Sequence, residues 1–228
     1  FVSGGDLGNT IAWYENNGNA VFTPHEITSA DAPVSLFLAD FDGDGEAEIG
    51  IKGSEKFLVL NKNDGSLKVS YATVPAAVMP FTATVFDLDG DGRPEVAINA
   101  RKYFDIFDGS SGALLYQEGF GGYYSFYQNT IVADVDGDGH AEIVVVGGDL
   151  LKDTAAAQAG VNVYGYDPVS TPWVGARKIW NQPSYHVTNV NDDGTIPQHE
   201  SPSWLLNNTY HVQAAVGEST NPYLTPNL

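Results

Sequence analysis

Three stretches of the chain set carboxylates at one repeated spacing: DFDGDGEAE at 40–48, DLDGDGRPE at 87–95 and DVDGDGHAE at 134–142. Aspartates stand at loop positions 1, 3 and 5, and a glutamate at position 9. The first set is Asp40, Asp42, Asp44 and Glu48; the second is Asp87, Asp89, Asp91 and Glu95; the third is Asp134, Asp136, Asp138 and Glu142. Three carboxylates on one tight turn converge on a point. Glycines at positions 4 and 6 permit the twist, and the position-7 carbonyl (Glu46, Arg93 or His140) is free to point inward. Hard oxygen donors in this number, with no sulfur or nitrogen ligand, suit Ca²⁺, which takes about six to eight oxygens. Bare acidic turns are the alternative, but they would crowd twelve carboxylates into three turns against their mutual repulsion.

A helix-flanked calcium loop would carry glutamate at position 12, where this chain has Ile51, Ile98 and Val145. A fourth, weaker copy, NVNDDGTIP at 189–197, offers Asn189, Asn191, Asp193 and the carbonyl of Thr195. It has Pro197 in place of the acid, so a weak or empty site is expected there. The cofactor expectation is three Ca²⁺ sites, with the fourth left open.

The loops start 47 residues apart, at 40, 87 and 134, and their flanks repeat with them. Apolar runs at 35–39, 82–86 and 129–133 precede them, and β-branched runs at 49–51, 96–98 and 143–146 follow. Short apolar runs bounded by turn signals read as strands buried on both faces. A hairpin completes each unit: 57–61 turns at Asn63-Asp64-Gly65-Ser66 into 67–71, and 104–107 turns at 108–112 into 113–116. In the third unit, 161–164 turns at Asp167-Pro168 and leads to Trp173. Gly, Asn and Asp accept the positive φ that tight hairpin turns need.

About four strands in 47 residues is the size of one propeller blade, and such units bury their apolar faces by stacking. The expected fold is therefore an all-β propeller of four-stranded antiparallel blades, with about five blade-equivalents. Residues 1–34 read as a partial blade that lacks its first strand and loop. Residues 35–80, 81–128 and 129–180 are the calcium-loop blades of this single domain, and 181–228 is a divergent closing segment. Either that segment supplies the missing strand, or the ring is incomplete or strand-exchanged. The start at Phe1 fits a processed mature protein or an excerpt of a longer one.

Ten basic against 29 acidic residues give a formal charge of −19, which repels nucleic acid and anionic lipid. Hydrophobic residues make up 43% of the chain and aromatics 12%, too much for an acidic disordered chain, so the acids act locally. With no cysteine, neither a disulfide framework nor a thiolate site can form. Metal in the loops would stabilise the fold instead. No run approaches the ~20 apolar residues of a membrane-spanning helix, so membrane insertion is not expected.

The Asp-x-Asp-Gly-Asp-Gly-x-x-Glu loops within 47-residue units resemble the FG-GAP/VCBS repeats of integrin-α-like β-propellers. GDLGNTIAWYENNG at 5–18 is similar to the VCBS version in bacterial surface proteins, and 176–197 to the closing part of such propellers. The resemblance covers nearly all of residues 1–175. It implies a secreted or surface protein that binds Ca²⁺ through loop positions 1, 3, 5, 7 and 9 and serves adhesion, recognition or scaffolding. The chain departs from that family in blade count, where seven is common, and lacks a clear FG…GAP cassette, so integrin-like ligand binding does not carry over.

No Gly-x-Ser-x-Gly element or phosphate-cradling loop appears, and the five histidines lack zinc spacing. His199-Glu200 is the one suggestive pair, read as a solvated loop. Ca²⁺ would keep the loop carboxylates ionised and unsuited to general acid work. An enzyme is therefore not expected. In GFGGYYSFYQ at 119–128, Tyr123, Tyr124, Phe126 and Tyr127 could stack on a sugar or contact a protein; packing between sheets is the blander alternative. Trp180 and Trp204 are expected in packing. Residues 149–160 read as an Ala-rich insertion with room for one helical turn, and Asn207 opens a lone glycosylation sequon. The function expected is an extracellular adhesion or interaction module with a protein or glycan partner. A self-assembling fibre or layer, or a glycan-binding accessory of a larger enzyme, are the alternatives.

Overall fold

The structure is a computed structural model, and it describes residues 2–4, 10–16, 18–19, 21–29, 33, 35–53, 55–61, 63–72, 83–100, 103–119, 130–147, 160–166, 171–202 and 212–216. Among these residues there are sixteen strands and no helix. The first sheet holds β1 (Val2–Gly4), β2 (Thr10–Asn16) and β3 (Phe22–Ser29). The second holds β4 (Ser35–Ala39), β5 (Glu48–Lys52), β6 (Lys56–Leu60) and β7 (Leu67–Ala72). The third holds β8 (Ala83–Phe86), β9 (Glu95–Ala100), β10 (Tyr103–Asp108) and β11 (Leu114–Gly119). The fourth holds β12 (Ile131–Ala133), β13 (Glu142–Gly147) and β14 (Gly160–Tyr164), and β15 (Gly175–Ala176) pairs with β16 (Ala215–Val216).

Each of the four larger sheets is an antiparallel meander in chain order. Side chains alternate between the two faces of a strand, and the second and third sheets bury apolar residues on both faces, so each has a neighbour on either side. Ile11 of β2 packs with Ile49, Ile51 and Leu60 of the second sheet. The opposite face of that sheet carries Phe37, Phe57 and Val59, which meet Val85, Val96, Ile98 and Phe107 of the third. The third sheet's other face carries Phe86, Phe104 and Ile106, which meet Val132, Ile143 and Val145 of the fourth. The sheets therefore stack face to face in chain order, with β4 beside β8 and β8 beside β12.

Aromatic rings fill the gap between the second and third sheets. Phe57 stacks on Tyr71 with centroids 5.3 Å apart, and Tyr71 lies 4.9 Å from Phe107. Gly50 makes room for this cluster. A Cβ on it would stand 2.8 Å from the Phe41 ring and 3.0 Å from that of Phe57.

The expected first hairpins form, with β6–β7 and β10–β11 each interrupted by a bulge. The third unit differs at Trp173, which is in no strand. Residues 173–177 instead run past the acidic loops, described below. The Asp167-Pro168 turn, residues 149–159 of the expected insertion, the aromatic positions Tyr123, Tyr124, Phe126 and Tyr127, Trp204 and Asn207 lie outside the described residues.

Candidate metal centres

Each acidic loop joins the first two strands of its sheet in one register. Ala39 pairs with Glu48, Phe86 with Glu95, and Ala133 with Glu142. Position 9 is thus the first residue of the second strand, which aims its carboxylate back at the loop. The position-1 aspartate organises the turn. Asp40 accepts the N–H groups of Gly43 at 2.7 Å, Asp44 at 3.1 Å and Gly45 at 2.8 Å. Asp87 does the same for Gly90, Asp91 and Gly92 at 2.8–3.1 Å, and Asp134 for Gly137 and Gly139 at 2.6 and 3.2 Å. The glycines at positions 4 and 6 all have φ between 75 and 97°, a region that disfavours any side chain.

This wrapping brings the carboxylates of positions 1, 3 and 9 together. In the triads Asp40–Asp42–Glu48, Asp87–Asp89–Glu95 and Asp134–Asp136–Glu142, one oxygen from each residue lies within 4.8 Å of the others. Positions 1 and 9 are buried; at position 3 Asp89 and Asp136 are exposed and Asp42 is half-buried. The position-5 carboxylates serve the turn: Asp44, Asp91 and Asp138 each accept the N–H of position 7 at 2.8 Å.

The position-7 side chains do different things. Glu46 and Arg93 are exposed, and the Arg93 stem lies against Gly43 of the preceding loop. The Nδ1 of His140 bonds to the carbonyl of Trp173 at 2.6 Å.

Burial pushes Asp40, Glu48, Asp87 and Glu142 above their ordinary carboxylate range, against the pull of backbone N–H groups. Glu95 goes furthest, to about 8, because burial and then repulsion from Asp89, Asp87 and Asp91 outweigh its bond from Leu88. Buried like charges this close need a cation or a proton. In the first triad Asp42 Oδ1 is buried with no hydrogen-bond partner. An all-oxygen set with orphaned acceptor capacity fits a hard divalent cation such as Ca²⁺.

The fourth loop retains part of the turn. Thr195 N–H donates to Asp193 Oδ1 at 2.9 Å, and Gly194 has φ 84°. Its remaining polar groups are turned to each other or to neighbours: Asn191 Nδ2 donates to Thr195 Oγ1, and Asn189 Nδ2 to the Ser184 carbonyl. Asp192 pairs with Arg177 at 2.7 Å. In the His199-Glu200 pair, Glu200 turns away from its neighbour, accepting from Thr188 at 2.7 Å and pairing with His186. Trp180 packs, stacked 4.6 Å from Tyr185.

Sequence reasoning missed the strap over these loops. Val174 N–H donates to the Leu88 carbonyl of the second loop, while its own carbonyl accepts from Ala141 of the third, both at 2.9 Å. The Asp134 N–H reaches the Arg177 carbonyl at 3.2 Å. Nothing local in 171–177 signals this, since its partners lie more than 30 residues away.

The fold and these centres define an all-β repeat domain that carries one acidic cage at the same corner of three successive sheets. Residues 1–51 match the family model described as an FG-GAP-like repeat. The chain is also similar in structure to the V. cholerae biofilm matrix protein Bap1, with a TM-score of 0.62 at 23% identity over 89% of this chain. It spans 32% of that protein's chain. Together these findings support an FG-GAP/VCBS-like repeat domain. No curated protein gives a significant sequence match.

Proposed function

We propose that the chain is a calcium-stabilised β-propeller module that acts outside the cell in adhesion or matrix contact and catalyses nothing itself. The observation that carries this reading is the recurrence of one buried carboxylate triad at the same strand junction of three stacked sheets. Asp40, Asp42 and Glu48 would hold the first ion, Asp87, Asp89 and Glu95 the second, and Asp134, Asp136 and Glu142 the third. Asp44, Asp91 and Asp138 and the carbonyls of Glu46, Arg93 and His140 would complete the sets. The ion supplies charge neutralisation and cross-linking of a turn, a structural role. Propeller geometry is supported by the face-to-face stacking of four meander sheets and by the adjacency of β4, β8 and β12.

The likeness to a biofilm matrix protein supports a surface or matrix setting and a protein or glycan partner. The fourth loop, with amides at positions 1 and 3, would bind weakly at most. Tyr123, Tyr124, Phe126 and Tyr127 are the proposed contact platform, and Asn207 is a proposed glycosylation point.

Thermal melting in millimolar calcium and in excess chelator tests the core of this reading. A melting temperature indifferent to chelation would sink it. Self-assembly is a second reading, favoured by edge strand β11, which exposes Leu114, Leu115 and Tyr116; unpaired strand edges recruit other chains. Sedimentation velocity separates the two: a compact monomer favours the recognition module, and calcium-dependent polymers favour the fibre.

A further inference from the structure

The three cages share their carboxylates but not the cation that faces them. In the first, Lys68 Nζ lies 2.8 Å from Asp42 Oδ2, 2.8 Å from Glu48 Oε1 and 3.7 Å from Asp44 Oδ2. Asp42 and Glu48 are two of the three carboxylates of that triad. The Lys68 side chain is 25% exposed and that of Glu48 2%, so the ammonium enters the cage. In the third cage Lys178 reaches Asp134 alone, at 3.5 Å, from a side chain 67% exposed. Among the described residues no lysine or arginine nitrogen comes within 4.0 Å of a carboxylate of the second.

The backbone explains how Lys68 gets there. In the β6–β7 ladder Leu60 pairs with Leu67 and Val59 with Val69, which leaves Lys68 as the extra residue of a bulge. Bulges re-aim a side chain relative to the regular strand. The third sheet has the same bulge: Phe107 pairs with Leu114 and Ile106 with Tyr116, so the equivalent residue is Leu115, which carries no charge.

We propose that Lys68 is a built-in competitor for the metal of the first cage, dividing the chain's divalent-cation sites into a weaker one at Asp40–Asp42–Glu48 and stronger ones at the other two loops. This rests on the calcium reading above. A divalent ion must draw oxygens to about 2.3–2.6 Å, and it cannot share Asp42 and Glu48 with an ammonium against their mutual repulsion. Filling the cage therefore expels Lys68 and breaks two charge-assisted hydrogen bonds, one to a buried oxygen. Bonds of that kind are each worth about a tenfold change in affinity or somewhat more. As calcium rises, the second and third loops fill first and the first loop last. At low calcium Lys68 offsets part of the first cage's negative charge.

Calorimetric titration of Ca²⁺ into the metal-free chain, wild type beside Lys68→Met and Lys68→Arg, tests this. Methionine retains most of the unbranched stem without the charge, and arginine retains a competing cation. The wild type is expected to show two tight sites and one about tenfold to a hundredfold weaker, Lys68→Met three tight sites, and Lys68→Arg the wild-type pattern. Three equal sites in the wild type, or a weak site that persists in Lys68→Met, would overturn the assignment while leaving calcium binding intact. Absence of calcium binding in every variant would remove the calcium reading itself and this inference with it.

Discussion

Glu95 reaches back across its loop to accept the N–H of Leu88 at 2.7 Å, closing position 9 onto position 2. The same bond joins Glu48 to Phe41 and Glu142 to Val135, each at 2.9 Å. One carboxylate oxygen is thus committed to the turn, and the other faces the cage. Burial, and then repulsion from Asp89, Asp87 and Asp91, push the pKa of Glu95 up to about 8 despite the bond from Leu88.

A pH dependence follows. The folded-state pKa of Glu95 lies above its unfolded value of 4.5, so between about pH 4.5 and 8 the folded chain holds a proton that the unfolded chain has released. Metal-free stability is then greatest at the acid end and falls as pH rises through that window. The raised pKa values of Asp40, Glu48, Asp87 and Glu142 add in the same direction. Lys52, brought down to about 8 by burial, stays protonated in both states across most of the window and does not oppose the trend. In chelator, raising the pH from 5 to 7.5 is expected to cost about 3 kcal/mol, or roughly 6–12 °C in melting temperature. Millimolar calcium should flatten the slope. A chelated protein that gains stability over this range contradicts the assignment.

The position-1 aspartates have a second task, separable from metal binding. Asp87 accepts three backbone N–H groups, and its side chain belongs to a buried residue. Asp87→Ala removes the acceptor of the Gly90 and Gly92 N–H groups, while the Asp91 N–H keeps Asp89 Oδ1, a loss of about 1–3 kcal/mol. Asp87→Asn keeps one carbonyl oxygen and should lose less. Urea unfolding in chelator reads this structural term alone. If Ala and Asn behave alike there, the turn does not depend on the carboxylate.

How much of this was legible in the sequence depends on the range of the interaction. The loops and their flanking strands are local patterns: Asp at 1, 3 and 5, Gly at 4 and 6, and an apolar run on each side. The strands stand where those runs predict, at Ser35–Ala39 and Glu48–Lys52 in the first repeat. The sequence leads the third hairpin from its Asp167-Pro168 turn to Trp173, which is in no strand. Its neighbour Val174 instead gives both backbone bonds to loops 2 and 3, partners that no window around it could reveal. Lys68 was unreadable for a related reason: without the bulge between Val59 and Leu60 it is one more charged residue on an outer strand.

The aromatic cluster between the second and third sheets should hold them together more than any single strand pairing does. Phe57 is fully buried and touches Phe37, Phe41 and Tyr71 through centroid distances of 5.3–6.1 Å. Phe57→Ala is expected to cost about 3–5 kcal/mol, measured by equilibrium denaturation in calcium. Gly50→Ala approaches the same cluster from the other side, forcing a methyl against the Phe41 and Phe57 rings, and should cost about 1–3 kcal/mol. Because the two changes share neighbours, their costs should not add.

Beside the Val174 bridge, one buried amide ties the C-terminal segment to the repeats. Gln213 is fully buried, and its Nε2 donates to the carbonyls of Val132 in β12 and Ile179, both at 3.1 Å. Its Oε1 accepts the hydroxyl of Tyr185, itself fully buried and stacked on Trp180. Arg177 adds to the same knot, donating to the Val187 and Val190 carbonyls at 2.8 Å each. Gln213→Leu keeps the volume but strips two carbonyls and one hydroxyl of their partner. Unsatisfied buried groups cost about 1–3 kcal/mol each, although relaxation lets some find water. The loss should fall first on the segment itself, since among the described residues its strand pairing is β15 with β16, two residues each. Limited proteolysis followed by mass analysis is therefore expected to show cleavage within 171–216 in Gln213→Leu, at protease levels that leave the wild type whole, with residues 35–119 surviving. Uniform degradation of the whole chain would instead mean that the segment and the sheets unfold as one unit. The Val174 bridge between loops 2 and 3 would then be as important to the repeats as Gln213 is to the segment.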